Sequence, residues 1–198
     1  MKDQMLVVGC GYWGSIIINS IKILKKFKKI YVCDLDSKKT DLIKKRHGSF
    51  IEIINISEIS KYKEIKFIYL ATPPSKNLLL VKKILPLNKK ILLEKPGFTK
   101  LKDFRIIKKE LKKSKSELRF GYVYLYHEYI KYLKKVIKDN KFGNIKYIKF
   151  QRQNFGPIRN DVNSFADLAT HDLSILKYLF NKKIKLIKYT RHDILKPN

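Results

Sequence analysis

The sequence predicts an α/β fold, a doubly wound parallel sheet followed by a partial second α/β domain. Three observations carry that prediction. Short apolar runs alternate with segments of helical periodicity over roughly the first 120 residues, the pattern of a parallel sheet covered on both faces. The first apolar run ends in a glycine-rich turn that opens a helix. After Tyr122 the alternation fails and only two further strand signals remain.

Residues 5–8 form a short apolar strand, and residues 16–24 carry helical periodicity. A second strand at 30–33 leads into a helix over 37–45, with Ser37 as its cap. Residues 50–54 give a weaker strand signal and 67–71 a clearer one. Thr72-Pro73-Pro74 ends the latter, because proline lacks the ladder donor and restricts its predecessor. A helix over 75–85, a strand at 90–93, a helix over 101–113 and a strand at 118–122 follow. Six strand signals are enough for a complete doubly wound domain over residues 1–122.

The remainder, residues 123–198, reads differently. A helix over 126–137 leads to a long strand at 145–153, a loop at Phe155-Gly156-Pro157, a helix over 163–180 and a last strand at 185–190. Two strands joined by one helix are marginal alone, so this second domain is expected to be incomplete or to depend on a partner.

At 198 residues and 44% hydrophobic content, the chain can bury a core without covalent staples. Cys10 and Cys33 are too few for a disulfide framework and fit a reducing compartment. No apolar run approaches the roughly 20 residues that cross a bilayer, and the opening run is too short for a signal peptide. A cytoplasmic protein with no membrane partner is expected.

The net charge of +28 raises nucleic acid as a partner. Of the basic residues, however, 39 are lysine and 6 arginine, whereas readers of base edges and phosphate forks favour arginine. The lysines are scattered among apolar residues at helical spacing, as solvated helix faces are. Codon bias in an AT-rich genome accounts for the excess more readily than nucleic-acid binding. The aromatic run Tyr122-Val123-Tyr124-Leu125-Tyr126 is read as packing rather than base stacking, and His47, His127 and His192 as surface or packing residues.

Gly9-Cys10-Gly11-Tyr12-Trp13-Gly14 stands directly after the first strand and opens a helix. Gly9 permits the tight turn, Gly11 lets the backbone approach a pyrophosphate, and Gly14 allows close packing of helix on sheet. The phosphates would rest on the positive end of the helix. Asp34 ends the second strand 20 residues after Gly14, where a carboxylate accepts both ribose hydroxyls. With Asp36 nearby it favours NAD over NADP, a preference that Lys38 and Lys39 soften. Without a ligand, the same residues would be an ordinary turn and a strand-ending acid.

Glu94-Lys95-Pro96 closes the strand at 90–93, and such sheets bind ligands at the carboxyl ends of their strands. Taken alone, Lys95 could equally be a surface lysine before a turn. Asp167 and His171 are four apart on one helix and share a face, with Ser174 close to the stripe and Leu168, Ile175, Leu176 and Leu179 on the buried side. In isolation that pair could merely support its own helix. No third ligand stands at a recognised metal spacing, so no metal site is expected.

The glycine loop, the Ala71-Thr72-Pro73-Pro74 turn, the Glu94-Lys95-Pro96 triplet and Asp167-Leu168-Ala169-Thr170-His171-Asp172 occur in an order and spacing that resembles the Gfo/Idh/MocA oxidoreductases. The likeness runs from residue 5 to about 179. It implies a Rossmann domain followed by a substrate domain, and an NAD(P)-dependent dehydrogenase acting on a sugar, sugar acid, cyclitol or nucleotide-linked sugar. Residues 156–163 look most like members from bacterial surface-polysaccharide loci.

The resemblance further implies cofactor contacts from Gly9, Gly11, Tyr12, Trp13, Gly14, Asp34, Thr72, Pro73, Glu94 and Lys95. It makes Lys95 a ligand of the substrate hydroxyl and the nicotinamide ribose, Asp167 the group that orients substrate, and His171 the acid–base residue. Two departures stand out. Asn77 occupies a position where the family commonly has histidine. The chain also reads as a C-terminally shortened member, lacking most of the open sheet that forms the substrate floor and oligomer interface. Partners implied are a small sugar or nucleotide-sugar substrate and either a homo-oligomer or a complementing C-terminal chain. A remnant that binds dinucleotide without catalysis is the alternative from another class, and a basic nucleic-acid-binding protein the third.

Overall fold

The computed structural model describes residues 3–153 and 161–190, so the expected loop at Phe155-Gly156-Pro157, most of the 156–163 stretch and His192 lie outside the described residues. The chain divides into two compact units, Met1–Gly121 and Tyr122–Asn198.

The first unit holds one six-stranded, all-parallel sheet: β1 (Asp3–Val8), β2 (Phe27–Cys33), β3 (Ile51–Ile53), β4 (Ile65–Leu70), β5 (Lys90–Leu93) and β6 (Glu117–Phe120). The strand order is β3-β2-β1-β4-β5-β6, so β1 lies between β2 and β4 and the order reverses there. Four helices of this unit join the strands: α1 (Tyr12–Leu24), α2 (Ser37–His47), α3 (Pro74–Ile84) and α4 (Leu101–Leu111).

Successive strand side chains point to opposite faces, and both faces are covered. Leu6 and Val8 of β1 join Ile68, Leu70, Ile91, Leu93, Val81, Ile84 and Ile107 in one core cluster. Met5 and Val7 join Ile18, Ile21, Ile30, Val32 and Ile43 in the other. This is why β1 reads as a continuous apolar run rather than an alternating one. The helices supply matching stripes, such as Ile18 and Ile21 on α1 and Val81 and Ile84 on α3.

Several boundaries differ from the sequence reading. α1 begins at Tyr12 rather than 16, because the glycine turn runs straight into helical backbone without an apolar stripe to announce it. β2 and β4 start earlier, at Phe27 and Ile65, where lysines interrupt the apolar pattern at positions that pairing with β1 still accommodates. The cap of α2 is Asp36, not Ser37: its carboxylate accepts the backbone N–H of Lys38 at 3.1 Å, while Ser37 is already helical.

In the second unit a 3₁₀ turn (Val123–Tyr126) precedes α5 (Glu128–Lys138), and a π-helical turn (Phe165–Ala169) precedes α6 (Thr170–Phe180). His127 breaks the helix expected over 126–137 by serving as N-cap, its Nδ1 accepting the N–H of Tyr129 at 3.3 Å. α5 packs on α6, with the Lys134 ammonium 3.9 Å from the centroid of the Tyr178 ring.

The strands expected at 145–153 and 185–190 do not form. Ile145, Tyr147 and Phe150 in the first segment, and Leu186, Ile187 and Tyr189 in the second, are exposed. A strand is stable only when a neighbour takes its backbone groups and one face is buried, and among the described residues neither condition is met there. The described secondary structure of this unit is accordingly helical.

Candidate functional site

Beyond the carboxyl ends of the central strands, the parallel ladder continues for one residue in each loop. Gly9 N–H donates to the Cys33 carbonyl at 2.8 Å, Ala71 N–H to Val8 at 2.8 Å, Glu94 N–H to Leu70 at 3.0 Å and Gly121 N–H to Leu93 at 2.8 Å. These bonds fix the glycine turn, the Thr72 turn and Glu94 as extensions of the sheet.

Gly9 adopts φ +92°, and a Cβ there would lie 2.6 Å from the Ala71 carbonyl oxygen and 3.3 Å from Thr72 Cγ2. A Cβ at Gly14 would come 1.9 Å from the Gly9 carbonyl oxygen, so α1 lies directly against the turn. At Gly11 the same construction meets nothing within 4 Å. Gly11 is also the N-cap of α1 and offers no side chain to its first-turn N–H groups. An anion can therefore approach the helix terminus through the space that a side chain would fill. This cradle fits a dinucleotide's pyrophosphate.

Asp34 is tied to the same turn. One carboxylate oxygen accepts the Cys10 N–H at 2.6 Å and the other the Asp36 N–H at 2.9 Å. Each oxygen keeps a second lone pair for a diol. Burial, then the charges of Asp34 and Cys33, pushes the Cys10 thiol up to about 12, so it stands in the loop as an inert thiol.

Trp13, in the first turn of α1, reaches across to the end of β5. Its indole N–H is shared between the Tyr69 hydroxyl at 3.1 Å and Glu94 Oε1 at 2.8 Å, and the Tyr69 hydroxyl itself donates to Glu94. Burial, followed by Glu94, pushes the Tyr69 phenol upward. The other Glu94 oxygen accepts the N–H of Lys95 at 3.2 Å. Lys95 is half-buried, and its peptide bond to Pro96 is cis. Tyr12, by contrast, is 85% exposed.

Thr72 and Pro73 form the turn into α3, with Pro73 as its N-cap. The Thr72 hydroxyl donates to Asn77 Oδ1 at 2.6 Å, and Asn77 Nδ2 donates to the Gly97 carbonyl at 2.6 Å. Asn77 is fully buried. The residue that departs from the family pattern thus clamps the Thr72 turn to the loop after Lys95.

Within the second unit, Asp167 lies in the π turn and His171 in the first turn of α6. The Asp167 N–H donates to the Asn163 carbonyl at 3.0 Å. Wider π turns interrupt helices where side chains must be re-aimed. His171 is 8% exposed and meets the Tyr124 ring edge-on, centroids 4.9 Å apart and planes at 82°. Ile175 and Leu179 are buried beneath it, while Leu168 and Leu176 are half-buried.

Sequence reasoning missed the Trp13–Tyr69–Glu94 cluster and the Asn77 clamp. The only available signal was a polar residue inside an apolar helix stripe at Asn77, and a tyrosine in the core strand β4.

A family model described as "Oxidoreductase family, NAD-binding Rossmann fold" matches residues 4–122. No curated protein sequence matches the chain. Among solved structures, an NAD-binding protein from Listeria innocua superposes with a TM-score of 0.80 at 17% identity, over 91% of this chain and 56% of that one. The apo scyllo-inositol dehydrogenase from Lactobacillus casei gives 0.75 at 16% identity, over 92% of this chain and 56% of its own. The WlbA dehydrogenase from Chromobacterium violaceum, in complex with NADH and UDP-GlcNAcA, gives 0.63 at 20% identity, over 72% and 41%. The chain thus spans 41 to 56% of the length of these proteins. No helix among the described residues is long and apolar enough to cross a membrane.

Proposed function

The chain belongs to the Gfo/Idh/MocA oxidoreductases, an NAD-binding Rossmann family, and on that premise we propose that it moves a hydride between NAD and a hydroxyl of a sugar or nucleotide-linked sugar. The observation that carries the reading is the pairing of an open approach at Gly11 with an Asp34 carboxylate locked to the same turn. When bound, NAD supplies the nicotinamide ring that accepts or returns the hydride.

The roles of the chain's own residues are those the family resemblance implies, and the chemistry of each side chain suits its part. The backbone at Gly9, Gly11 and Gly14 and the positive end of α1 receive the pyrophosphate. Asp34 accepts the ribose hydroxyls, and its charge, with Asp36, disfavours a ribose phosphate. Thr72, Pro73, Glu94 and Trp13 shape the strand-end wall along which the cofactor lies. Lys95 donates to the reacting hydroxyl and to the nicotinamide ribose, stabilising negative charge on oxygen as its proton departs. His171 takes that proton, and Asp167 orients the sugar. The UDP-GlcNAcA complex of the WlbA neighbour supports a nucleotide-linked substrate, and the likeness of residues 156–163 to members from bacterial surface-polysaccharide loci supports a place in that synthesis.

The test is a titration of the purified chain with NADH, followed by NADH formation from NAD on free sugars, cyclitols, sugar acids and UDP-linked sugars. Saturable binding with turnover on one class supports the proposal, and absence of binding overturns it. Binding without turnover supports a second reading, a dinucleotide-binding protein without catalysis.

A further inference from the structure

We propose that Arg152 is a positioning residue for His171, fixing the imidazole by holding Asp172 and Tyr124 in one rigid arrangement. The inference rests on the proton-transfer role proposed above for His171.

Arg152 lies on a segment without regular secondary structure, yet its side chain is only 25% exposed. Its Nε donates to both carboxylate oxygens of Asp172, at 3.0 and 3.2 Å, and Nη2 donates to Oδ1 at 2.8 Å. A guanidinium bound to a carboxylate at two nitrogens resists rotation in a way that a single ammonium contact does not. The same guanidinium lies over the Tyr124 ring, its carbon 5.1 Å from the centroid. Hydrogen bonding to Asp172 first, and then to Tyr124, makes Arg152 hold its proton more tightly than an ordinary arginine.

Tyr124 in turn meets His171 edge-on at 4.9 Å. Asp172 is the next residue after His171 in the first turn of α6. The four residues therefore close a circuit: His171 to Asp172 through one peptide bond, Asp172 to Arg152 by the ion pair, Arg152 to Tyr124, and Tyr124 to the imidazole. The helix fixes the His171 backbone, and the tyrosine ring limits the swing of its two side-chain torsions. Tyr124 comes from a 3₁₀ turn and is 38% exposed, so packing alone holds it weakly. Arg152 supplies the missing restraint while its Nε and Nη2 are engaged by Asp172.

The experiment is NMR of the imidazole ring signals in the full chain, combined with steady-state kinetics. There are only four histidines, and the His171→Asn variant identifies the signal that belongs to His171. In Arg152→Ala the His171 signals move, because the neighbouring tyrosine ring is released, while those of His47 and His127 stay. Arg152→Lys does not restore them. kcat falls about 100-fold, the usual cost of a misaligned reacting group, with the KM for NAD unchanged.

Tyr124→Leu, which leaves the Arg152–Asp172 pair intact, moves the same signals and guards against a folding failure in the first variant. Unmoved His171 signals in either soluble variant overturn the proposal, as does full rescue by lysine. If no sugar is turned over, the NMR result alone decides, so failure of the dehydrogenase reading is distinguishable from failure of this one.

Discussion

Asp34 and Cys10 are joined across 24 residues of chain, the carboxylate of one accepting the backbone N–H of the other at 2.6 Å. The acid that closes β2 is thereby held in register with the turn that closes β1. Asp34→Asn keeps an acceptor for that N–H and removes the charge. NAD affinity is expected to fall about tenfold or more, in keeping with the worth of hydrogen bonds to a charged group, and the preference over NADP to narrow. Parallel titrations with NADH and NADPH check this, and an unchanged affinity ratio removes Asp34 from the ribose.

The glycines of the turn separate folding from binding. Gly14→Ala places a methyl 1.9 Å from a backbone oxygen and is expected to lower Tm markedly. Gly11→Val points into open space and is expected to fold with near-normal Tm while losing NADH binding. Thermal melts with and without NADH distinguish the two, and wild-type NADH affinity in Gly11→Val contradicts the assigned loop.

His171→Asn is expected to retain NADH binding and lose turnover by about 10²- to 10⁴-fold, the range for a positioned acid–base group. Kinetics on the best substrate of the panel, beside a binding isotherm for the same preparation, provide the measurement. Parallel loss of binding and turnover points instead to a structural residue.

Alkaline pH acts on the first unit through groups whose protons burial retains. The Cys10 thiol is pushed from 9.0 to about 12, and the Cys33 thiol and the Tyr31 and Tyr69 phenols are also raised, with desolvation the largest cause in each. Above pH 9 the unfolded chain releases these protons before the folded one, so the unfolded state binds fewer protons and stability falls as pH rises. Lysine deprotonation relieves self-repulsion in the same range, so the informative comparison is with Tyr69→Phe. That variant is expected to show a shallower decline in Tm between about pH 9 and 11, and an identical slope excludes Tyr69 as a contributor.

Tyr69→Phe also isolates the cluster around Glu94. It removes one donor to that carboxylate and is expected to cost about 1 to 3 kcal/mol of stability, the range for a hydrogen bond to a charged group, here partly buried. Trp13 is the only tryptophan, so its emission reports both this change and NADH binding. Emission unaffected by either contradicts its placement beside the cofactor.

The elements most legible in the sequence were those set by local chemistry. β5 spans the residues read for it, because the apolar triad Ile91-Leu92-Leu93 between Lys90 and Glu94 has no competing period. The glycine turn and Asp34 were legible because a strand-to-helix turn demands particular residues at particular spacings. Trp13, Tyr69 and Glu94 meet only through contacts 25 to 81 residues apart in the chain, which no local pattern encodes. Asn77 looked like a departure from a pattern until its two partners, Thr72 and Gly97, were seen on either side of it. At 145–153 and 185–190 the alternation was real, but a strand needs a neighbour, and a single segment cannot reveal whether one exists.

The central place of β1 has a bearing on how the chain emerges from the ribosome. Its partner on one side, β2, follows within about 20 residues, whereas the other edge waits for β4, whose Phe67 pairs with Met5. Until that stretch is synthesised, one flank of this central strand offers bare amides to any passing polypeptide. Nascent chains paused before Ile65 should therefore be the species most dependent on chaperones.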